Sequence, residues 1–347
     1  MARHFHDTGS TLPDLSGISA EENTLPKPLQ AGSAAQSSVG NHSMVVSAAD
    51  VASISEGDRR KALVDRIICG DSLSVLNYLP TGFAGMVITS PPYYGQRDYD
   101  HPDQLGSEEH PHSYIAKLVE IFAHCRRAMK DKGTLWLNLG DKYQEGRLLG
   151  MPWRVALALQ DDGWRLRSDI IWHKLNAMPS SVKNRFTIDH EYLFMFAKTA
   201  DYYFNADAVR EPHVTFSENT KMMGGRNHLG KRGGTPEKGK NSGNVNLHTG
   251  RWDQAFHPKG RNRRTVWRIP LSKSPDPHFA VYPEKLVEPC VLAGSQEGDI
   301  VLDPFLGSGT SAGVAQSLAR HFIGIDCNPA YCQIAEKRII SSGRRLF

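Results

Sequence analysis

The sequence predicts an α/β fold built on a doubly wound, mostly parallel sheet. Short apolar runs recur along the chain, and most of them are followed by a polar or glycine-rich turn and then by a helix-like pattern. Two of the runs, at 86–88 and 300–302, are followed by serine, aspartate, proline and glycine residues, which suit a functional site better than a packed core. Because such sheets bind ligands beyond the carboxyl ends of their strands, we expect a functional site there. With 347 residues, 39% of them hydrophobic, the chain can bury one large core or two modest ones.

The elements follow one another in a regular order. Strands are predicted at 66–69, 86–88, 134–139, 166–173, 191–197, 300–302 and 322–325. Helices are predicted at 73–79, 115–129, 152–163, from 282 to an interruption at Pro289, from a glycine turn at 307–309 to 320, and from 329 to 339. Pro80 and Gly133 are the stop signals after the first two helices.

Composition excludes several classes of protein. The five cysteines are scattered and form no C-x-x-C pair, so neither a disulfide framework nor a metal site is predicted. No apolar run approaches the roughly 18 residues of a membrane span, and no signal-peptide core is present. We therefore expect a soluble, cytoplasmic protein without a membrane partner.

Positive charge is concentrated in one segment. Residues 221–268 hold twelve basic and two acidic side chains, a net +10 against +4 for the whole chain, which leaves −6 elsewhere. This distribution is typical of a protein that binds a polyanion. The segment is also glycine-rich, so it suits either a phosphate-tracking loop or a solvated linker. Residues 1–60, by contrast, contain the single aromatic residue Phe5, and their polar composition predicts disorder.

The strand at 86–88 leads into Thr89 and then Ser90, Pro91, Pro92 and Tyr93. Two prolines fix the backbone and remove two N–H donors, which leaves carbonyl oxygens beside a hydroxyl. The Ser90 hydroxyl and the Pro91 carbonyl could accept both hydrogens of a nucleobase amine, while Tyr93 stacks on the base. The alternative is a proline-rich turn with a surface tyrosine.

A second pattern follows the strand at 300–302. It comprises Asp303, Pro304, Phe305, Gly307, Ser308, Gly309 and Thr310, with Asp326 ending the next strand 19 positions after Gly307. Glycines allow close approach of a nucleotide, and a carboxylate at this distance can take ribose hydroxyls. Because Ala312 completes G-x-G-x-x-A, a dehydrogenase is also possible. Asp71, after the first strand, is a candidate helix N-cap.

These motifs together resemble the S-adenosylmethionine-dependent DNA amino-methyltransferases. The Thr-Ser-Pro-Pro-Tyr form is similar to the cytosine-N4 branch, although some adenine-N6 enzymes also carry Ser. Residues 172–179 with Arg185, Thr187 and 190–192 resemble the part of this family that backs the target-base pocket. The motif order matches the circularly permuted beta group. A non-catalytic DNA-binding protein on the same fold is the alternative from another class.

The resemblance implies a fold, a site and partners. It implies a seven-stranded class I methyltransferase sheet that carries a basic target-recognition insert. S-adenosyl-L-methionine would be bound by the loop 303–310 and Asp326, by Asp71 at the adenine amine, and by Phe279 in an additional cofactor segment. The substrate would be double-stranded DNA with its target base flipped out, and Ser90, Pro91, Pro92 and Tyr93 would be catalytic, without a metal. A cognate restriction endonuclease is a possible partner, and the protein would be a monomer or a homodimer.

The resemblance also divides the chain. The expected parts are a disordered arm at 1–60, a catalytic half at 61–204, the basic recognition insert at 205–268 and the cofactor-binding half at 269–347. A Pro-Cys pair at 289–290 is similar to the nucleophile motif of cytosine-C5 enzymes, but it lies in a predicted helix and not after the strand where that nucleophile belongs. C5 chemistry is therefore not expected.

Overall fold

The computed structural model describes residues 43–96, 104–212, 259–272 and 282–343. The strands are β1 (Val45–Ser47), β2 (Arg66–Cys69), β3 (Ala84–Thr89), β4 (Met129–Leu139), β5 (Tyr143–Gln144), β6 (Arg147–Leu148), β7 (Arg165–His173), β8 (His190–Ala197), β9 (Val266–Arg268), β10 (Ile300–Asp303) and β11 (His321–Asp326). The helices are α1 (Ala48–Ser53), α2 (Glu56–Ala62), α3 (Ser72–Tyr78), α4 (Pro111–Ala128), α5 (Met151–Asp161), α6 (Glu284–Gly294), α7 (Thr310–Ser317) and α8 (Pro329–Gly343).

Nine of these strands form one sheet in the order β1-β2-β11-β10-β3-β4-β8-β7-β9. All neighbours are parallel except β8, which runs antiparallel to β4 and to β7. The prediction of a mostly parallel α/β sheet is confirmed. The seven predicted strands are the seven inner ones, and the sheet gains β1 and β9 at its edges, so the expected number of seven is corrected to nine. β5 and β6 pair separately as a short ribbon.

Helices cover both faces of the sheet, as buried parallel strands require. All six residues of β3 are buried, and they alternate between two cores: Val87 packs in one cluster, while Met86 and Ile88 pack in the other. Phe122 of α4 belongs to the first cluster and Val291 of α6 to the second. The helix α6 continues through Pro289, which is buried. We attribute the continuation to this packing, which overrides the local stop signal.

Disorder through residue 60 is a wrong expectation for residues 43–60. Val45 pairs with Ile67 as β1 extends the sheet beyond β2. Ser47 then caps α1 in a capping box with Asp50, and Val51 is fully buried. A few well-placed apolar residues thus order a stretch whose average composition is polar. Residues 1–42 of the expected arm lie outside the described residues.

The ends of the expected basic insert belong to the folded sheet. β9 pairs with β7, and a backbone bridge joins Glu211 to Arg261. The side chains of these two residues also form an ion pair of 3.2 Å, and Lys259 lies 3.3 Å from Asp207. Part of the expected range 205–268 thus pairs with the rest of the folded chain, and the basic residues Lys259 and Arg261 have acidic partners there. Residues 213–258 lie outside the described residues.

The strand directions bring the motif residues to one edge. β2, β3, β4, β10 and β11 run the same way, so the residues that follow each of them emerge together. The antiparallel strand β8 begins at this same edge with His190 and Glu191. No helix within the described ranges is long and apolar enough to cross a membrane.

Candidate active site

A cavity of about 760 Å³ opens at this carboxyl edge. Residues that follow four strands line it, together with part of α4 and the segment before it. The cavity wall includes the following predicted site residues: Asp71, Ser90, Pro92, Phe305, Gly307, Ser308, Thr310 and Asp326. The sheet thus brings together two motifs that are more than two hundred residues apart in the chain.

One end of the cavity is built by the glycine loop and Asp326. The Asp326 carboxylate accepts backbone N–H bonds from Gly307 (2.8 Å) and Asn328 (2.9 Å). Gly307 has φ +53°, and a Cβ added there would meet no other atom within 4 Å, although the residue lines the cavity. Gly309 has φ +80°, and an added Cβ would come within 2.9 Å of Ala335 in α8. The first glycine therefore keeps space open for a ligand, and the second allows helix packing.

Asp71 does what an N-cap does and also faces the cavity. Its Oδ2 accepts the Ser74 N–H at 2.8 Å at the start of α3. The neighbouring Ser72 hydroxyl donates to the Pro304 carbonyl at 2.5 Å. This bond ties the loop after β2 to the loop after β10, so the two predicted cofactor segments hold each other in place.

Asp303 lies behind the cavity wall and not in it. The buried carboxylate accepts hydrogen bonds from Ser311 (2.5 Å), from Tyr282 (3.2 Å) and from the Phe305 N–H (3.0 Å), as well as from Thr89. Burial raises the pKa of Asp303, and the hydroxyl donors oppose that rise. Pro304 and Gly309 are likewise absent from the cavity lining, and so are Pro91 and Tyr93 of the other motif. Phe279 lies outside the described residues.

The Ser90 motif is the end of a partly buried hydrogen-bond network. The Ser90 hydroxyl lies 3.2 Å from the Tyr93 hydroxyl, which donates to Glu191 Oε2 at 2.7 Å. Asn138 Nδ2 lies 2.7 Å from the Tyr93 hydroxyl and 2.7 Å from Glu191 Oε2. Lys174 Nζ pairs with Glu191 Oε1 at 2.5 Å. The network connects β3, β4, β7 and β8 at the point where Ser90 meets the cavity.

Tyr93 was expected to stack on the target base, and the structure shows that its hydroxyl is part of this network. An added Cβ on Gly140 would come within 2.7 Å of the Tyr93 ring, so one part of the ring packs against the end of β4. Burial, and then the negative charge of Glu191, raise the pKa of Tyr93 well above its usual value. The hydroxyl is thus a fixed neutral partner within the protein, which a surface tyrosine would not be.

Three residues of the network were not among the predicted site residues. Asn138 had a usable signal in the sequence, because it is a polar residue between Leu137 and Leu139 in a predicted buried strand. In the structure it is only 1% exposed. Lys174 and Glu191 lie in the segments that resemble a base pocket, but the sequence did not connect them to each other or to Tyr93. The Pro92 carbonyl is engaged as well, because it accepts the Tyr114 hydroxyl at 2.8 Å.

Comparisons with known proteins identify the family of this chain. A family model described as DNA methylase matches residues 84–337. The Type II methyltransferase M.Cfr9I of Citrobacter freundii is 39% identical over 299 residues, which cover 78% of this chain and 86% of that protein.

Two solved structures share the fold. The PvuII DNA methyltransferase (cytosine-N4-specific) matches with a TM-score of 0.56 at 20% identity, covering 81% of this chain and 92% of that one. A candidate DNA modification methylase of Thermus thermophilus, complexed with S-adenosyl-L-methionine, matches with a TM-score of 0.51 at 24% identity, covering 80% and 95%. At these identities the two structures support the fold alone. From the family match and the curated relative, the chain belongs to the DNA methylase family of S-adenosyl-L-methionine-dependent amino-methyltransferases, which comprises the N4 and N6 enzymes.

Proposed function

We propose that this protein transfers a methyl group from S-adenosyl-L-methionine to the exocyclic N4 amine of cytosine, at a specific site in duplex DNA. The observation that carries the proposal is the position of Ser90, which lines the same cavity as Asp71, Gly307 and Asp326. This position supports a target amine and a nucleotide cofactor bound side by side. The choice of cytosine rests on Ser90 within the Thr-Ser-Pro-Pro-Tyr motif.

The residues at the glycine-loop end suit the cofactor. Asp326 and Asp71 would contact the ribose hydroxyls and the adenine amine, and Phe305 would pack against the adenosine. The space beside Gly307 that a Cβ would occupy is needed for such a ligand. The cavity volume of about 760 Å³ lies within the usual range for small-molecule sites. When bound, S-adenosyl-L-methionine supplies an electrophilic methyl group.

The motif after β3 would activate the amine. The lone pair of a cytosine amine is delocalised into the ring, so the nitrogen is a poor nucleophile. The Ser90 hydroxyl and the Pro91 carbonyl would accept its two hydrogens and localise the lone pair. Within the described residues no donor reaches the Pro91 carbonyl, whereas the Pro92 carbonyl already accepts from Tyr114. Catalysis would then come from positioning and electrostatics, with Tyr93 and Pro92 holding the pocket in shape.

The target base must leave the helix to reach this site. An amine inside the base stack is inaccessible to methyl transfer, so the base would be flipped into the cavity mouth. The net +10 segment at 221–268 would supply part of the phosphate contacts. Because the relatives named above include a Type II methyltransferase, we also infer a cognate restriction endonuclease as a possible partner. The protein would then act on cytoplasmic DNA, as a monomer or a homodimer.

The test is transfer of tritium from labelled cofactor to duplex DNA, followed by nucleoside analysis. We expect label in N4-methylcytosine. Label in N6-methyladenine alone would replace cytosine by adenine as the target, and no transfer to any DNA would overturn the proposal. A Ser90→Ala variant should bind the cofactor normally and lose most turnover. Ser53→Ala, at an exposed position of α1, is the matched control and should retain full turnover.

A further inference from the structure

The Tyr93 hydroxyl has three polar neighbours, and two of them, Asn138 and Glu191, cannot exchange roles. Asn138 Nδ2 carries only donors, and an ionised carboxylate such as Glu191 only accepts. Tyr93 has a single hydroxyl hydrogen, and its contact with Glu191 Oε2 is 2.7 Å. That hydrogen therefore goes to Glu191, and the Tyr93 oxygen accepts from Asn138 at 2.7 Å.

The same accounting fixes the direction of the Ser90 hydroxyl. Because the Tyr93 hydrogen is directed to Glu191, Ser90 is the donor in its contact of 3.2 Å with the Tyr93 oxygen. Asn138 Nδ2, at 3.4 Å, can only donate to the serine and so cannot take its hydrogen. The hydrogen of Ser90 thus points into the protein, and its remaining lone pair can accept from a group in the cavity.

Lys174 keeps this arrangement in one state. Its ammonium lies 2.5 Å from Glu191 Oε1, and only 19% of its side chain and 13% of the Glu191 side chain are exposed. Tyr93 also stays protonated, since burial and the Glu191 charge raise its pKa. The ion pair holds the Glu191 carboxylate in place while Tyr93 keeps its hydrogen, so the hydrogen-bond directions given above are maintained.

We propose that Glu191, held by Lys174 and acting through Tyr93, is a positioning residue that makes Ser90 a hydrogen-bond acceptor toward the target amine. The inference rests on the proposed amine methylation, and it holds equally for cytosine N4 and adenine N6. Without an acceptor at 191, the Tyr93 hydrogen can turn to Ser90, and Ser90 then presents its own hydrogen to the amine. Two hydrogens would face each other, and the amine would no longer be held for attack.

The test is a double-mutant cycle on single-turnover methylation. Glu191→Gln provides an amide that can donate to the Tyr93 oxygen, and we expect the rate at saturating substrates to fall roughly 10- to 100-fold. Calorimetric affinity for S-adenosylhomocysteine and the melting temperature check that the fold and the cofactor site remain intact. Glu145→Gln, on the exposed turn between β5 and β6, is the control and should not change the rate.

The second arm repeats Glu191→Gln in a Tyr93→Phe background. Since Glu191 acts only through the Tyr93 hydroxyl, the substitution should then cost less than about twofold. An undiminished rate in the Glu191→Gln single variant, or an equal cost in both backgrounds, would overturn the inference while wild-type methylation still stands. Absence of methylation by the wild-type protein would instead remove the proposed function on which the inference rests.

Discussion

Thr89 Oγ1 donates a hydrogen bond of 2.6 Å to Asp303 Oδ1, although 214 residues separate the two in the chain. The bond crosses between the neighbouring strands β3 and β10 at their carboxyl ends. Thr89 precedes Ser90 directly, and Asp303 precedes the glycine loop. The Ser90 motif and the glycine loop are therefore fixed to each other by one buried contact as well as by strand pairing.

Replacing Thr89 by Val should destabilise the protein measurably. The change keeps the shape of the side chain but removes one donor to a buried carboxylate, which should lower the free energy of unfolding by about 2 kcal/mol. Urea denaturation followed by circular dichroism measures the change. Thr81→Val, at an exposed loop position, should change stability by less than about 0.5 kcal/mol. Equal stabilities for the two variants would show that the bond contributes nothing.

Local sequence patterns were enough to predict the two segments that the bond between Thr89 and Asp303 joins. The Asp303 loop and the Ser90 motif each begin within a few residues after a buried apolar strand, so the apolar run and the turn residues that follow it predicted both. The seven inner strands were predictable for the same reason. β1 and β9 were not, because each has three residues and exists only by pairing with a longer neighbour, β2 or β7.

The Glu191 network was not predictable because it depends on tertiary register. Antiparallel pairing of β8 with β4 places Leu193 opposite Asn138, so Glu191 reaches Asn138 and Tyr93 only in that alignment. A shift of one residue would turn its side chain to the other face of the sheet. A sequence pattern sees Asn138 and Glu191 as 53 positions apart and gives no register.

The two glycines Gly307 and Gly313 should respond in opposite ways to alanine. Gly307 has φ +53° and lines the cavity, so Gly307→Ala should cost about 1 kcal/mol of stability and weaken cofactor affinity about tenfold. Gly313 lies in α7 with no atom within 4 Å of an added Cβ, so Gly313→Ala should add about 0.5–1 kcal/mol and leave affinity unchanged. Calorimetric titration with S-adenosylmethionine and urea denaturation measure both. Unchanged affinity in Gly307→Ala would place the cofactor elsewhere.

Tyr93 should resist ionisation in the folded protein. Its pKa is raised by burial and by Glu191, so the folded state favours the protonated form. The associated stability is present below the unfolded pKa of about 10 and is lost as the pH rises from there toward the folded pKa. Absorbance at 295 nm should therefore show the same alkaline titration for wild type and Tyr93→Phe while both stay folded. In urea the curves should differ by one tyrosine near pH 10. A one-tyrosine difference in the folded proteins at that pH would contradict the buried network.

Cys327 should react slowly and be protected by the cofactor. Burial and the neighbouring charge of Asp326 raise its pKa to about 11, and the residue lines the cavity. Since only the thiolate is alkylated, the rate of iodoacetamide labelling should rise about tenfold per pH unit between pH 8 and 9.5. A peptide containing this cysteine should level off over the same range. Mass spectrometry of the labelled site gives both rates, and labelling that bound S-adenosylmethionine does not slow would separate Cys327 from the cofactor site.

Removing the Lys174 ammonium should lower the free energy of unfolding, because it leaves the Glu191 carboxylate without its cationic partner in a mostly buried position. Breaking a fully buried ion pair costs about 3–5 kcal/mol, and the exposed fractions of 19% and 13% reduce our expectation for Lys174→Met to about 2 kcal/mol. Adding Glu191→Gln to that variant removes the unpaired charge and should restore at least half of the loss, even though methylation stays impaired. Urea denaturation of the two single variants and the double variant measures this coupling.

If Glu191→Gln gave no recovery, Lys174 would act by packing against Trp172, whose ring centre lies 5.1 Å from its ammonium. Recovery of stability without recovery of turnover would separate the two roles of Glu191, as a buried charge and as the acceptor that directs Tyr93.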